Sequence, residues 1–174
     1  MTKSDLLPGL LPGTVFLTDP APGWASLYDQ EAARIAKALG SVVVVIEHYG
    51  STSIPGIKAK PVIDLLVGLP RLDDALAQIG AMERLGYDYA AHAGVPGHHV
   101  FGKGAARTHL THFVEHQGES WIECLRFRDR LRADTELARA YERLKVELAA
   151  RHSQDRAAYT AGKSAFVASV LAGA

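Results

Sequence analysis

The stretch GSTSIPGIKAKPVID (residues 50–64) decides the fold. It is a polar loop that runs into an apolar strand carrying one acid. Gly50 lets the backbone approach a ligand closely. Ser51, Thr52 and Ser53 supply hydroxyls and successive backbone N–H groups, a run that can curl into a concave anion site. Lys58 and Lys60 add positive charge. PVIDLLVGL (61–69) is continuous and apolar, so it reads as a strand, with Pro61 at the first position, where a missing donor is tolerated. Asp64 is then held rigidly beside the loop. A fixed carboxylate next to phosphate donors is a common way to place Mg²⁺.

Upstream, SVVVVIEHY (41–49) is β-branched and unbroken and reads as a buried strand. Before it, Trp24, Leu27, Tyr28, Ile35 and Leu39 recur at three- and four-residue steps, which predicts a helix over 24–39 stopped by Gly40. Val15–Leu17 reads as a short strand. Downstream, the pattern predicts a helix over 73–85 with Leu76, Ile79 and Leu85 inward. Extended pieces follow at 87–90 and 100–103 around the turn GVPGHH, then a strand over 109–116. After Gly118 three helices are expected, over 120–132, 135–152 and 155–171. The fold expected is α/β: a mixed sheet followed by C-terminal helices. Residues 1–13 read as an irregular segment. Residues 14–174 read as one domain, with an α/β core over about 14–118 and a helical part over about 119–172.

The totals narrow the function. The 174 residues hold 48% apolar and 22% charged side chains, with 19 basic and 19 acidic residues, so the formal net charge is zero. Attraction to nucleic acid or to an anionic membrane is not expected. The single Cys124 excludes an internal disulfide and fits a reducing compartment. The N-terminus lacks the apolar core of a signal peptide, and no apolar run is long enough to span a bilayer. The expected location is the cytoplasm.

Gly50-Ser51 followed by Asp64 in an apolar strand resembles the signature of the nucleotidyltransferase superfamily. Those proteins carry a second acid two residues on, where alternate strand residues share a face. Here that position is Leu66. A partner for Asp64 has to come from elsewhere. His112 and Glu115 lie on opposite faces of the 109–116 strand, and His48 precedes the loop. Asp64 is the candidate for catalysis and metal binding, and His112, Glu115 and His48 are each open as its partner. Further along, Trp121, Leu125, Arg128 and Arg132 form one helical stripe, from which Arg128 could clamp a phosphate or carboxylate. Tyr141 and Lys145 share a helix face, as do Tyr159 and Lys163. Each lysine could line an anion site or simply cover the core with its stem.

The blocks IEHYGSTSIPGIKAKPVIDLLVGL, LGYDY, RTHLTH, LRFRDRLR, YERLK and DRAAYTAGKSAF follow one another along the chain. Together they resemble the GrpB family of small bacterial proteins over roughly residues 14–172. The resemblance implies a minimal polymerase-β-like nucleotidyltransferase core with C-terminal helices. It also implies a single acid at position 64, so Leu66 is no private loss. The family usually shows His-x-His near 109–112, whereas here Leu110 and Thr111 separate His109 from His112; His112 aligns with the second family histidine, so the resemblance favours Asp64 with His112 for catalysis and metal binding, with Glu115 and His48 as alternatives. The family also occurs fused to dephospho-CoA kinase. The expected ligand is a nucleotide or another phosphate-bearing small molecule, held by Gly50, Ser51, Thr52, Ser53, Lys60, Arg128, Lys145 and Lys163, with Mg²⁺ as the cofactor of any nucleotidyl transfer. The alternative expectation is a non-catalytic anion-binding module that assists a protein partner, for example an enzyme of CoA synthesis.

Overall fold

A computed structural model describes residues 7–92 and 95–173. Five strands form one mixed sheet: β1 (Val45–Tyr49), β2 (Ile63–Leu69), β3 (Tyr87–Tyr89), β4 (His99–Lys103) and β5 (His109–Glu115). Their spatial order is β1-β2-β5-β4-β3. β2 and β5 are parallel, and every other neighbouring pair is antiparallel. The helices are α1 (Trp24–Leu39), α2 (Ile79–Arg84), α3 (Glu119–Ala133), α4 (Thr135–Arg151), α5 (Arg156–Ala161) and α6 (Ser164–Ala172). The fold is α/β with its helical part C-terminal, as expected. None of the described helices is long and apolar enough to cross a membrane.

β2 is interior, and every residue in it except Asp64 is buried. This is what a continuous apolar strand with neighbours on both sides requires. Strand parity divides the side chains. Ile63, Leu65, Val67 and Leu69 join Phe101 and Phe113 on one face, where Trp24, Ile35 and Leu39 of α1 and Met82 of α2 complete the main core. On the other face Leu66 and Val114 meet Trp121 of α3, with Val45 and Tyr49 of β1 packed alongside. The remaining helices enclose a smaller core of Ile54, Ile57, Leu131, Ala138, Tyr141 and Val170.

Four expectations are corrected. The 41–49 strand is neither that long nor buried. Residues 40–42 form a 3-10 turn, β1 begins at Val45, and it is an edge strand with Val44 half exposed. A β-branched run reports strand propensity, not the number of neighbours. Val15–Leu17 is irregular; Val15 donates its N–H to the Ser153 carbonyl, and the only bridge nearby joins Thr18 to Ala59. The 73–85 helix is a 3-10 turn over Leu72–Gln78 followed by the short α2, and the tighter winding leaves Leu76 exposed. The last helix is two helices that break at Gly162 and Lys163. A side chain at Gly162 would collide with Leu148 of α4, so α5 crosses close to α4 there. The expected turn GVPGHH starts at Gly94, outside the described residues.

Candidate anion-binding cleft

The 50–64 stretch builds its site in two movements. After β1, Gly50 turns the chain with φ at 72°, and Ser51–Ser53 wind one 3-10 turn. The turn is tied internally: the Ser53 hydroxyl donates to the Gly50 carbonyl at 2.7 Å, and Thr52 Oγ1 bonds His48 Nε2 at 3.0 Å. The Ser51 hydroxyl faces inward to Tyr141. The chain then enters β2, which brings Asp64 back beneath the loop. A Cβ on Gly50 would overlap the Asp64 carboxylate, so the glycine is needed for both its dihedral and its missing side chain.

Asp64, Tyr49 and His112 share one sheet face, because Tyr49 pairs with Asp64 and Leu66 with His112. The imidazole of His112 lies edge-on to the Tyr49 ring at 5.2 Å. Its Nδ1 sits 3.2 Å from Nδ1 of His98. Burial holds His112 down to about 3 and His98 to about 4, so the pair is neutral at pH 7, one nitrogen donating and the other accepting. The same parity puts His48, Glu115 and His109 on the opposite face. His48 stacks on Tyr28 there at 4.7 Å.

Together Tyr49, Gly50, Ser51, Lys60, Asp64, His112, Arg156, Tyr159 and Lys163 line a cleft of about 1210 Å³. Lys163 reaches it because the α5–α6 break sets this residue at the junction. Arg156 reaches it from the first position of α5, whose N-cap Asp155 accepts the Ala158 N–H at 2.9 Å. The Lys163 ammonium stands 4.7 Å from the centre of the Tyr159 ring, and that of Lys60 stands 5.7 Å from the same ring. Lys145 is fully buried just behind, donating to the Lys58 carbonyl at 2.5 Å, with Tyr141 below it at 4.9 Å. Lys58 itself points away and pairs with Asp19 at 2.8 Å. Arg128 borders the cleft with its Nε and Nη1 donors engaged. One nitrogen reaches Glu47 at 2.7 Å and the His48 carbonyl at 3.0 Å, and another reaches Asp129 at 2.7 Å.

The electrostatics of the cleft are lopsided. Burial pushes the Asp64 carboxyl up, opposed by Lys60, Arg156, Lys163 and Lys145 in that order. Burial, then the neighbouring cations, lower Lys60 and Lys145 each to about 7. Lys163 is lowered mainly by burial. These shifts describe one carboxylate facing a surplus of crowded cations.

Asp64 is the residue here that could hold Mg²⁺ together with a ligand's phosphates. Among the described residues no three His, Cys, Asp or Glu side chains are grouped so as to hold a metal. Asp64 is ringed by cations, and Nδ1 of His112 is spent on His98. Arg156, Tyr49 and His98 were not singled out in the sequence as site residues. Arg156 had a usable signal, since it stands second in the block that also holds Tyr159 and Lys163.

The fold and the cleft define an α/β protein with a mixed sheet and a basic, tyrosine-lined cleft at the sheet's C-terminal helices. A profile of the family described as GrpB protein matches residues 14–172. The chain is 36% identical over 169 residues to the glutamate-rich protein GrpB of Alkalihalophilus pseudofirmus, covering 94% of this chain and 97% of that one. It is 40% identical over 147 residues to the UPF0157 protein YqkA of Bacillus subtilis, covering 83% of this chain and 42% of that longer one. A crystal structure of the conserved protein GrpB from Enterococcus faecalis superposes with a TM-score of 0.82 at 31% identity, over 90% of this chain and 95% of that chain. The chain belongs to the GrpB family.

Proposed function

We propose that the cleft binds a phosphate-bearing small molecule, a nucleotide being the leading class. The observation that carries this reading is the convergence of Lys60, Arg156 and Lys163, with Lys145 behind them, on the Asp64 carboxylate. Crowded cations in a poorly solvated cleft are stabilised by an incoming anion. The Ser51 hydroxyl and the backbone at Gly50 stand on the same wall. The test is a thermal-shift panel of nucleotides, phosphate esters and pyrophosphate. At least one should raise the melting temperature, and the rise should shrink in Arg156→Met and Lys163→Met. A panel with no shift at any concentration overturns the reading.

Nucleotidyl transfer is the second reading, favoured by the packing of Gly50 against the Asp64 carboxylate. It requires that the intact protein consume a nucleotide, and that Asp64→Asn abolish this turnover. Binding without turnover leaves the non-catalytic module, with or without a protein partner.

A further inference from the structure

We propose that the cleft takes its ligand as a free polyanion, neutralised by Lys60, Lys163 and Arg156 with Lys145 behind them and not by a divalent cation. This rests on the anion-binding reading and narrows it to a charge class. When all are charged, the quartet supplies four positive charges against the two acids that face it, Asp64 and, beside Lys145, Glu142, a surplus of two (4 − 2) in a chain whose formal net charge is zero. A ligand with two or more negative charges, such as a di- or triphosphate, matches that surplus.

Three structural features support metal-free binding. The first is that the three cations lining the cleft, Lys60, Lys163 and Arg156, are held without consuming their donors, whereas Lys145 behind them donates to the Lys58 carbonyl. Arg71, Arg107, Arg128, Arg139 and Arg151 each pair with a carboxylate. Among the described residues Lys60, Lys163 and Arg156 have no such partner within 4.0 Å. Instead, Lys60 and Lys163 flank the Tyr159 ring, which attracts ammonium groups through its π face and takes no hydrogen bond from them in return. Their N–H groups therefore remain available to phosphate oxygens. The second feature is where a metal would have to sit. A dication on Asp64 would stand among the same cations that act on the carboxylate, and their repulsion in a poorly solvated cleft opposes it. The third is position 66. A second acid there would share the Asp64 face, but Leu66 is wholly buried beside Val114 and Trp121, so this part of the sheet is closed to solvent. The lysines are lowered first by burial and then by one another and Arg156, as expected where cations crowd in a poorly solvated cleft.

Isothermal titration calorimetry at pH 6.5 tests this with inorganic tripolyphosphate, ADP and ATP, each in EDTA and in excess Mg²⁺. At least one probe should bind in EDTA, and Mg²⁺ should weaken it several-fold by removing charge from the ligand. Tripolyphosphate binding without nucleotide binding would support an inorganic or non-nucleotide ligand, and nucleotide binding a nucleotide. Either supports the proposal. Binding only in Mg²⁺ overturns it and leaves the anion-binding reading standing. No binding in either condition overturns both. In EDTA, Asp64→Asn, checked for folding by circular dichroism, should bind as tightly as the parent or more so, because a repelling carboxylate is gone. Loss of binding in the folded variant overturns the proposal. Lys163→Met should weaken binding at least tenfold and Lys163→Arg should restore most of it. An unchanged Lys163→Met affinity also counts against it.

Discussion

Gly50 illustrates what one missing side chain contributes. Its φ of 72° lies in the left-handed region, and the Asp64 carboxylate occupies the space a Cβ would need. Gly50→Ala therefore meets two penalties. We expect a loss of about 1–3 kcal/mol in urea denaturation, together with a displaced Asp64. A variant as stable as the parent would show that the loop adjusts freely. The sequence pointed to a glycine that lets the backbone come close to a ligand; what the structure places against it is the Asp64 carboxylate, a contact no local spacing encodes. The partners of Asp64 were less legible. Strand parity limited His112 and Glu115 to one candidate, but only the β2–β5 register decides which. Arg156 enters the cleft from the far end of the chain, and no local spacing encodes that approach.

At the scale of the element, β2 shows why the acid at 64 stands alone. Asp64 and Leu66 point to the same face, but Leu66 is wholly buried against Trp121 of α3 whereas Asp64 is partly exposed in the cleft. Leu66→Asp would place a carboxylate beneath Trp121 and Val114 with no partner, at a cost of about 3–5 kcal/mol. The expected result is a large fall in the denaturation midpoint and no gain of Mg²⁺ affinity. A stable variant that binds Mg²⁺ would refute this account of the face. Long periodic elements were readable from pattern alone. α1 begins and ends where Trp24, Leu39 and Gly40 indicated, and α4 nearly so. The misreadings share a cause. The 155–171 pattern keeps helical period across Gly162 and Lys163, but close packing of α5 on Leu148 turns the chain there. The 73–85 pattern likewise does not tell a 3-10 turn from an α-helix over its first seven residues.

Two pH responses belong to the whole molecule. His48, His98 and His109 are each held at about 4 and His112 at about 3, below the unfolded value of about 6.5. Between those limits the unfolded chain binds more protons, so stability falls as pH drops from about 6.5 toward 4. Melting temperatures taken across this window should decline steadily, and a flat profile would contradict the burial of these rings. Anion affinity should respond above neutrality. Lys60 faces Arg156, Lys163, Tyr159 and Asp64; Lys145 faces Lys163, Glu142, Lys60, Tyr141 and Asp64. An anion favours their charged forms, so binding takes up protons where the free lysines are neutral. The dissociation constant should be nearly flat below pH 7 and rise above it, by up to about tenfold per unit for each lysine involved. A dissociation constant constant from pH 6 to 9 would contradict this.

The parallel pairing of β2 with β5, and the reach of Arg156 and Lys163 back to Asp64, also govern when the cleft comes into being. The groups it needs are scattered from residue 49 to residue 163. During synthesis the loop and its acid emerge early, wait for β5 to slot between β2 and β4, and receive their basic wall only when the last helices leave the ribosome. Contacts between such distant segments form slowly and leave apolar strands uncovered meanwhile. The cleft is thus completed late in the life of each molecule, and under the proposed anion binding a polyanion present at that moment would act as a template for closing the final helices.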